Sequence, residues 1–589
     1  MAQTNSAMTT TVASENAKES SEIRGNRAVV AVLGDVGRSP RMMFHAESLV
    51  GTGSFDSVTM LGYSGERLIA SLQGILDGEE GVKSSPSPAR TAFEAVRFKP
   101  SSVPVLLLRL RFLRPLAYVW KVLTSGATFL WHLLTLCKEE GRSNGSDAPS
   151  SPSPGTTLLL VQLPPALPTL PSLLLLLPAL AVGSLLRGLG RRRRRRLAVV
   201  LDWHNLGHTL TPGGRVVRAI AYAIERSCAY LLERAVPTLF PNATVEHLTV
   251  TQAMADYIQN KYGLGRRRKN ITVLYDRPGE AFRPFMPHGQ DAKEWMTESA
   301  AWGEVHELMS RLESEKGGML SFAGCRERYE TWLSTREGGR NSQNETVLPQ
   351  TMLTEVVSAK TGSGIRGRPR RPAIVLSSTS WTPDEDFGIL LDALVDLDRL
   401  IEEKFGDGLG LLEENKNGNT QAVSMPYIIC VVTGKGPMKT QFERRMVESV
   451  LPGLRNVSIA TPWLEPEDYP KLVGCADIGV SLHTSSSGID LPMKVLDMFG
   501  CNVPVAAIAF PCLHELITEG GNGVTFQTAS QLADRLYELL VVENDGGSAR
   551  HVGNKNLDKL REGAGGVGCW KENWDCHAAP VVQRACEEY

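Results

Sequence analysis

Cysteine is scarce in this chain: its 589 residues include ten cysteines, and no two of them form a C-x-x-C pair. This scarcity excludes a disulfide-stapled secreted scaffold and favours reduced thiols in a protein that faces the cytosol. Net charge is almost absent, because 63 lysines and arginines balance 64 acids, so no overall positive field suggests nucleic-acid binding. The first residues do not have the pattern of a signal peptide, and no His/Cys cluster predicts a metal site.

What the chain does contain is a repeated alternation of short apolar runs and helical patterns, which is typical of α/β folds. The alternation pauses in a stretch rich in glycine, arginine, glutamate and serine, and then restarts. We therefore predict two Rossmann-like, doubly wound domains that face a central cleft. The predicted segments are a disordered tail at 1–24, an N-terminal domain at 25–285, a linker with an insertion at 286–371, a C-terminal domain at 372–565 and a tail or helix at 566–589.

The stretch 481–500 joins a small polar loop to an apolar helix. The loop consists of Ser485, Ser486, Ser487 and Gly488. Asp490 stands at a favoured N-cap position, so the helix is predicted to start there. Asp490, Lys494 and Asp497 share a stripe about 60° wide on this helix. Two interpretations stay open: an ion pair between Asp490 and Lys494, or an anion site with Lys494 on phosphate and the acids on hydroxyls.

Two glycine-containing loops follow predicted strands and are candidates for anion contact. The first loop, residues 34–41, brings two arginines to the start of a helix, and its candidate residues are Gly34, Gly37, Arg38, Ser39 and Arg41. In the second loop, Lys435 lies between Gly434 and Gly436. Residues 382–385 (TPDE) have the pattern of a capping box for the next helix.

Asp202 and His204 follow an apolar run, Leu197–Leu201, that is predicted to be a buried strand. The carboxyl ends of strands in parallel sheets are where ligands and catalytic groups gather. A carboxylate and an imidazole two residues apart can perform acid–base chemistry, although they also occur as simple loop hydrogen bonds.

Two segments of the first half have the composition of membrane-associated helices. Residues 103–136 mix leucine and aromatic residues with arginine, which fits an interfacial amphipathic helix and equally fits a core helix with snorkelling arginines. Residues 158–186 carry no charge, but five prolines favour a buried strand at 157–163 followed by a leucine-rich helix that ends at Arg187. The arginine run 191–196 would suit an anionic lipid surface, with nucleic-acid or nuclear-import binding as the alternative.

Nine segments together resemble the chitobiosyldiphosphodolichol β-mannosyltransferases of the endoplasmic reticulum. They occur in order along both halves, and the last is the most specific. The segments are LGDVGRSPRM (33–42), VQLPPALPTL (161–170), LDWHNLGH (201–208), TQAMADYI (251–258), VLYDRP (273–278), SSTSWTPDEDF (377–387), VVTGKGP (431–437), TPWLEPEDY (461–469) and HTSSSGIDLPMKVLDMFG (483–500).

The resemblance implies a GT-B glycosyltransferase that moves mannose, with inversion, from GDP-mannose to dolichol-diphosphate-linked chitobiose. It implies catalytic domains on the cytosolic side of the endoplasmic reticulum membrane, contact with membrane lipids, no nucleic-acid partner and no tightly bound cofactor. Stimulation by Mg²⁺ without protein ligands, and association with other mannosyltransferases of the pathway, are left open. A retaining α-mannosyltransferase of the same fold and a non-catalytic membrane scaffold are the alternatives.

The same resemblance assigns roles to the candidate residues. Lys435, Lys494 and the loop 485–488 would bind the donor diphosphate, with Asp497 on the ribose and Asp490 on the mannose. Residues 34–41 would close over phosphates. For the base that accepts the proton of the acceptor hydroxyl, Asp202 is ranked first and His204 second.

Overall fold

The computed structural model divides the chain into two units. Unit 1 consists of Met1–Tyr275 together with Lys571–Tyr589, and unit 2 consists of Asp276–Trp570. The residues that the structure describes are 26–78, 91–104, 114–138, 155–187, 196–239, 244–266, 270–285, 300–315, 317–336, 350–359, 362–368, 371–383, 385–405, 412–414, 420–422, 427–485, 487–541 and 554–586.

The described strands of unit 1 form a parallel sheet. They are β1 Arg27–Asp35, β2 Ser57–Tyr63, β3 Ala92–Phe98, β4 Thr156–Leu163, β5 Arg196–Trp203, β6 Thr244–Thr249 and β7 Ile271–Val273. Their order in the sheet is β3-β2-β1-β4-β5-β6-β7. At the centre, Val30 pairs with Leu160, which pairs in turn with Val200. All three are fully buried, as expected for a parallel sheet whose two faces are covered.

The connections of unit 1 are mostly helical. The helices are α1 Pro40–Thr52, α2 Ala70–Asp77, α3 Arg114–Lys138, α4 Ala166–Arg187, α5 Gly207–Leu210, α6 Arg215–Leu239 and α7 Gln252–Tyr257, with a 3-10 turn at Val36–Arg38 and a π-helical turn at Ile258–Tyr262. Helix α4 packs against both α3 and α6. The predicted sequence of a buried strand, a turn and a leucine-rich helix that ends at Arg187 is confirmed by β4 and α4.

Unit 2 contains a second parallel sheet and two short antiparallel hairpins. Its described strands are β8 Thr354–Ala359, β9 Gly362–Gly367, β10 Ala373–Ser378, β11 Leu412–Glu414, β12 Thr420–Ala422, β13 Ile428–Thr433, β14 Val457–Ala460, β15 Ile478–Ser481, β16 Val505–Ile508 and β17 Gly523–Phe526. The sheet order is β14-β13-β10-β15-β16-β17, while β8 pairs with β9 and β11 with β12. Both units thus have the doubly wound organisation that the sequence predicts.

The helices of unit 2 cover this sheet. They are α8 Ala300–Ser314, α9 Phe322–Arg336, α10 Phe387–Phe405, α11 Lys439–Arg445, α12 Tyr469–Val473, α13 Met493–Gly500, α14 Ala529–Leu540 and α15 Lys555–Gly565, with shorter turns at Met446–Val450, Leu451–Gly453 and Leu513–Glu515. Helix α10 packs one apolar stripe into the core: Leu390, Leu394, Leu397 and Ile401 are all fully buried.

The predicted linker and insertion at 286–371 is wrong in its described parts, because they belong to the core of unit 2. Trp302 of α8 and Tyr329 of α9 are fully buried in the same cluster as Ile374 of β10. Arg371, the expected end of the linker, is buried and forms two hydrogen bonds of 2.7 and 2.6 Å to Asp477. The first boundary also moves: unit 2 begins at Asp276, and Phe285 packs in its core.

The predicted separate segment at 566–589 is also wrong, because most of it returns to unit 1. Helices α16 Trp570–His577 and α17 Ala579–Cys586 carry this segment, and α17 packs against β4, β5 and β6. Asn573 donates to the backbone oxygen of Tyr275 at 2.7 Å. Unit 1 is therefore discontinuous in sequence.

The apolar compositions of 103–136 and 158–186 raise the question of a membrane-spanning helix, and none is found in the part of the chain that the structure describes. None of the helices in those residues combines the length and the apolar character that a membrane crossing requires. Helix α4, the most leucine-rich, contains Pro171 and Pro178. The arginines at 191–195 and residues 105–113 lie outside the described ranges.

Candidate active site

In unit 2, three neighbouring strands end beside the candidate donor residues. Strand β10 lies between β13 and β15 in the sheet. The loop after β13 contains Gly434–Gly436, the loop after β10 contains residues 379–385, and the loop after β15 contains residues 483–490. The parallel pairing of the strands brings the three loops to one edge of the sheet.

The glycines around Lys435 are required by a close approach of two backbones. A Cβ atom on Gly434 would lie 1.8 Å from the carbonyl oxygen of Thr379, and one on Gly436 would lie 1.8 Å from that of Ser380. Gly434 also has a φ of +133°, which residues with side chains rarely adopt. The two glycines therefore hold the β13 loop against the β10 loop. Lys435 itself is exposed, with its Nζ 3.4 Å from the ring centre of Trp463.

Lys494, on helix α13, forms an ion pair with a residue that we did not predict as part of the site. Its Nζ lies 3.2 Å from Oε1 of Glu385 and 3.4 Å from Oγ of Ser380. The Glu385 side chain is only 4% exposed, whereas that of Lys494 is 32% exposed. One of the two predicted alternatives was an ion pair between Asp490 and Lys494. Lys494 does form an ion pair, but its partner is Glu385, so that alternative is wrong about the acid. The only sequence signal for a role of Glu385 in the site is that an acidic residue follows shortly after a predicted strand.

The predicted capping box at 382–385 is also wrong. Helix α10 begins at Phe387, after Glu385. The carboxylate of Glu385 instead accepts hydrogen bonds from the Thr379 hydroxyl and, at 3.1 Å, from the Ser380 backbone N–H. Glu385 thereby braces the β10 loop and holds Lys494 at the same edge.

Asp490 precedes helix α13 instead of capping it. The helix runs from Met493 to Gly500 with Pro492 at its N-cap position, so the predicted start at Asp490 is wrong. Asp490 accepts hydrogen bonds from the hydroxyls of Ser485 and, at 2.7 Å, Ser487. The Gly488 N–H donates to Ser485 Oγ at 2.8 Å, and Gly488 has a φ of +74°. Asp490 therefore organises the serine loop; Ser486 lies outside the described residues.

Asp497 is a half-buried acid one helical turn beyond Lys494. Burial raises the pKa of Asp497 to about 7, although the charge of Lys494 acts in the opposite direction. A carboxyl group with this pKa changes its charge near neutral pH, which is uncommon for an aspartate.

In unit 1, Asp202 is enclosed at the end of β5. Its carboxylate accepts two hydrogen bonds from Arg41, 2.8 Å from Nε and 2.9 Å from Nη2. His204 Nε2 lies 2.8 Å and His45 Nε2 lies 3.2 Å from Asp202 Oδ2. Burial alone would raise the pKa of Asp202, but the charge of Arg41 and then the contacts with His204 and His45 hold that pKa well below its usual range.

A tryptophan from the end of the chain fixes the ring of His45. Trp574 Nε1 donates to His45 Nδ1 at 3.0 Å. Since Nδ1 is an acceptor, Nε2 carries the proton and donates toward Asp202. Both His45 and Trp574 are buried, and burial lowers the pKa of His45, so its imidazole is neutral. This support for Asp202 had no signal in the sequence pattern.

The first glycine loop does not present its arginines as predicted. Arg41 is buried, and its Nη1 donates to the backbone oxygen of Leu274 at 2.9 Å, so its role as a phosphate contact is contradicted. Arg38 is exposed and pairs with Glu66 at 3.1 Å. Gly37 is needed because a Cβ there would lie 2.5 Å from the Glu66 carbonyl oxygen.

Ser39 and Gly34, the two other candidate residues of that loop, make their observed contacts within unit 1. The Ser39 hydroxyl donates to the Gln162 side chain on β4. Gly34 is the penultimate residue of β1, and a Cβ there would make only an ordinary contact with Val32. Within the described residues, no group of three or more His, Cys, Asp and Glu side chains could hold a metal ion.

Comparison with known proteins places the chain in a class and then in a family. The family model described as "Glycosyl transferases group 1" matches residues 419–541. Two parallel α/β units, with polar loops at their strand ends, agree with this match and define a glycosyltransferase of the GT-B fold class.

Curated relatives cover nearly the whole chain. "UDP-glycosyltransferase TURAN" of Arabidopsis thaliana is 32% identical over 95% of this chain and 98% of its own length. "Chitobiosyldiphosphodolichol beta-mannosyltransferase" of Mus musculus is 31% identical over 95% of this chain and 89% of its own length. The Homo sapiens protein of the same name is 31% identical, with 95% and 93% covered. The chain belongs to the chitobiosyldiphosphodolichol beta-mannosyltransferase family.

Proposed function

We propose that this protein transfers mannose from GDP-mannose to dolichol-diphosphate-linked chitobiose and inverts the anomeric configuration. The acceptor hydroxyl oxygen forms a bond to C1 of mannose, and the bond from C1 to the diphosphate oxygen breaks. GDP leaves with the bonding electrons, and the hydroxyl proton passes to a base on the protein. One displacement of this kind converts an α-linked donor into a β-linked product.

The observation that carries this proposal is the Asp202–His204 pair. Asp202 keeps its charge, accepts two hydrogen bonds from Arg41 and one from His204, and has His45 Nε2 at 3.2 Å, so it is a poor proton acceptor. Because Asp202 accepts from His204, the proton of the neutral His204 ring belongs on Nε2, and Nδ1 is the basic atom. The His204 side chain is 20% exposed, whereas that of Asp202 is fully buried. We therefore reverse the predicted order: His204 is the base, and Asp202 orients it and stabilises the imidazolium.

In unit 2, the proposal assigns the departing diphosphate to Lys494, with Lys435 and the serine loop as further contacts. A fixed cation beside the leaving group stabilises charge that develops only in the transition state. Glu385 holds Lys494 in place before the donor binds. We keep Asp490 for the mannose hydroxyls and Asp497 for the ribose hydroxyls, since both lie beside this loop and helix.

The proposed location is the endoplasmic reticulum membrane, with both units on the cytosolic side. The reason is the acceptor, which is a lipid, together with the reduced cysteines of the described residues. Five N-x-S/T sequons occur, at Asn144, Asn242, Asn270, Asn344 and Asn456. We expect all five to lack glycan in the native protein, and an endoglycosidase-sensitive mass shift would contradict the cytosolic orientation.

The test is a transfer assay with labelled sugar nucleotides and a chitobiosyl-diphosphate lipid. We expect turnover with GDP-mannose, little with UDP-glucose or UDP-N-acetylglucosamine, and a β-linked product by NMR of the anomeric proton. An α-linked product would support a retaining enzyme, and the absence of turnover with every donor would support a scaffold. The UDP arms matter because one relative bears a UDP-glycosyltransferase name. Parallel reactions with EDTA and with added Mg²⁺ test metal stimulation.

A further inference from the structure

A cavity in unit 1 lies directly beyond the loop that bears His204. Its volume is about 300 Å³, at the lower end of the range for ligand pockets. Most of its wall is apolar and comes from three places: the β4–α4 connection, helix α5, and helices α3 and α6. The wall residues used below are Tyr118, Leu167, Leu210, Pro212, Ala221 and Glu225.

The acidic member of this wall is already engaged by the protein. Glu225 accepts hydrogen bonds from the backbone N–H groups of Gly207 at 3.2 Å and His208 at 2.8 Å. Its Oε2 also lies 3.3 Å from His208 Nδ1. Glu225 therefore ties α6 to the start of α5 and keeps the cavity in shape. The remaining wall is suited to a hydrocarbon and offers little to a charged or sugar-like ligand.

The surface around the cavity is apolar and basic. Helices α3, α4 and α6 expose many large apolar side chains. Two residues of the cavity wall, Tyr118 on α3 and Leu210 on α5, are themselves 39% and 50% exposed. The exposed apolar residues on the three helices are Leu116, Tyr118, Val119, Trp120, Leu123, Trp131, Leu175, Val216, Val217, Ile220, Ile224, Tyr230 and Leu231.

The exposed charged side chains on the same three helices are all positive. Lys121, Arg215, Arg218, Arg226 and Arg234 are exposed. The acids on these helices are Glu225 and Glu233, and each accepts hydrogen bonds from backbone N–H groups, Glu233 from Gly265. Apolar side chains among exposed arginines suit the surface of a bilayer with anionic headgroups.

The chain between the base and the cavity is short. Leu210 is the sixth residue after His204, which limits the distance between their Cα atoms to about 21 Å. In the acceptor, two sugar rings and a diphosphate lie between the reacting hydroxyl and the prenyl chain. A prenyl site must therefore lie near the base without touching it. The cavity wall includes Gly207 and His208 but not His204, which is compatible with that condition.

Building on the function proposed above, we propose that this cavity binds the first isoprenoid units of the acceptor lipid, next to its diphosphate. The apolar and basic surface around it would rest on the bilayer from which the lipid is drawn. The cavity is thereby a prenyl-recognition site and is distinct from the groups that act on the sugars.

The test compares two acceptors in detergent micelles, where docking to a bilayer plays no part. One acceptor is chitobiosyl diphosphate with a prenyl chain, and the other is the same diphosphate with a methyl group in place of the chain. The variant Ala221→Leu adds volume at the cavity wall, and Ala219→Leu adds the same volume at an exposed position of α6. We expect Ala221→Leu to raise KM for the prenyl acceptor about tenfold, since several buried CH₂ groups lose contact. Its kinetics with the methyl acceptor should match those of Ala219→Leu and the wild type.

A second pair of variants keeps the test decisive if Ala221→Leu fails to fold. Leu210→Ser removes apolar surface from the rim, and Leu76→Ser makes the same change at another partly exposed leucine of unit 1. Thermal melts accompany all four variants. Equal losses on both acceptors, or unchanged KM values for both cavity variants, would overturn the prenyl site. Failure of the wild type with both acceptors would instead overturn the proposed function itself.

Discussion

In unit 1 the candidate catalytic carboxylate is enclosed, whereas in unit 2 the candidate donor groups stay at the surface. Asp202 is fully buried and is held by Arg41 and two histidines, so only His204 reaches solvent. In unit 2, Lys494 is 32% exposed and Lys435 is also exposed. In terms of the function proposed above, unit 1 would hold its proton acceptor in a fixed orientation before the acceptor binds. The polar groups of the unit 2 loops bond to one another, and the donor diphosphate would have to replace some of these contacts.

The largest expected effect tests the base in unit 1. His204→Ala should lower kcat by about two to four orders of magnitude, because no other group accepts the proton of the acceptor hydroxyl. Its melting temperature should stay close to that of the wild type, since Arg41 and His45 still hold Asp202. His577→Ala, at an exposed histidine of the same unit, is the matched control.

Asp202→Asn separates orientation from proton transfer. It would leave the guanidinium of Arg41 buried without its charged partner, at a cost of about 3–5 kcal/mol in the free energy of unfolding. A marked fall in melting temperature is therefore expected. A different result would assign the base to Asp202: Asp202→Asn would melt like the wild type but be inactive, while His204→Ala would remain active. The enclosed carboxylate would then be the reacting group, contrary to the comparison drawn above.

The next effect tests the cation in unit 2. Lys494→Ala should lower kcat/KM for GDP-mannose at least about a hundredfold, as expected when a group that stabilises leaving charge is removed. Lys559→Ala, at an exposed lysine of helix α15, should leave kcat/KM unchanged. The double variant Lys494→Ala with Glu385→Gln removes the unpaired buried charge, so its melting temperature should recover while its activity should not. Recovery of activity would show that Lys494 serves the fold alone.

The two units should also respond to pH in opposite directions. Burial lowers the pKa of His45, and that of His247 to about 3, so both stay neutral in folded unit 1 and bind protons once unfolded. Unit 1 should therefore lose stability as pH falls below about 6.5. In unit 2, burial raises the pKa values of Asp497 and Glu313 to about 7, and these acids keep their protons when folded. Unit 2 should lose stability as pH rises from about 4 to 7.

Hydrogen exchange measured by mass spectrometry can follow both units in one sample. After correction for intrinsic exchange rates, peptides of β5 should be better protected at pH 7.5 than at pH 5.5, and peptides of β15 should show the reverse. If protection of the β5 and β15 peptides changed in the same direction with pH, the expectation that buried histidines govern unit 1 and buried acids govern unit 2 would be refuted.

The smallest effect concerns Lys435. Its Nζ stands over an exposed tryptophan, and such contacts contribute about 0.5–1 kcal/mol. Because Lys435 is exposed, its ion pair with a donor phosphate would contribute at most about 1 kcal/mol, so we expect Lys435→Ala to raise KM for GDP-mannose only about two- to fivefold, with kcat nearly unchanged. A loss as large as that of Lys494→Ala would place Lys435 directly on the leaving diphosphate.

The sequence predicted the strands and the loops well, because these depend on neighbours along the chain. The β5 strand with Asp202 and His204 at its end, and the glycine loop around Lys435, follow from apolar runs and turn residues alone. The partners could not be predicted in the same way. Arg41 lies 161 residues from Asp202, and Glu385 lies 109 residues from Lys494. For the same reason, local sequence pattern predicts that Glu385 caps the next helix and that Arg41 contacts a phosphate, whereas both side chains bind distant residues of the protein.

Trp574 carries a consequence for how the protein is made. The ribosome releases the strands of unit 1 first, but the indole that fixes His45 behind Asp202 is translated about 300 residues later, on the order of 15–60 s at typical elongation rates. Until then the nascent unit lacks helix α17, which packs against β4, β5 and β6 in the folded protein. A premature stop codon shortly before Trp574 would thus remove the hydrogen bond that orients His45, a residue encoded near the start of the message.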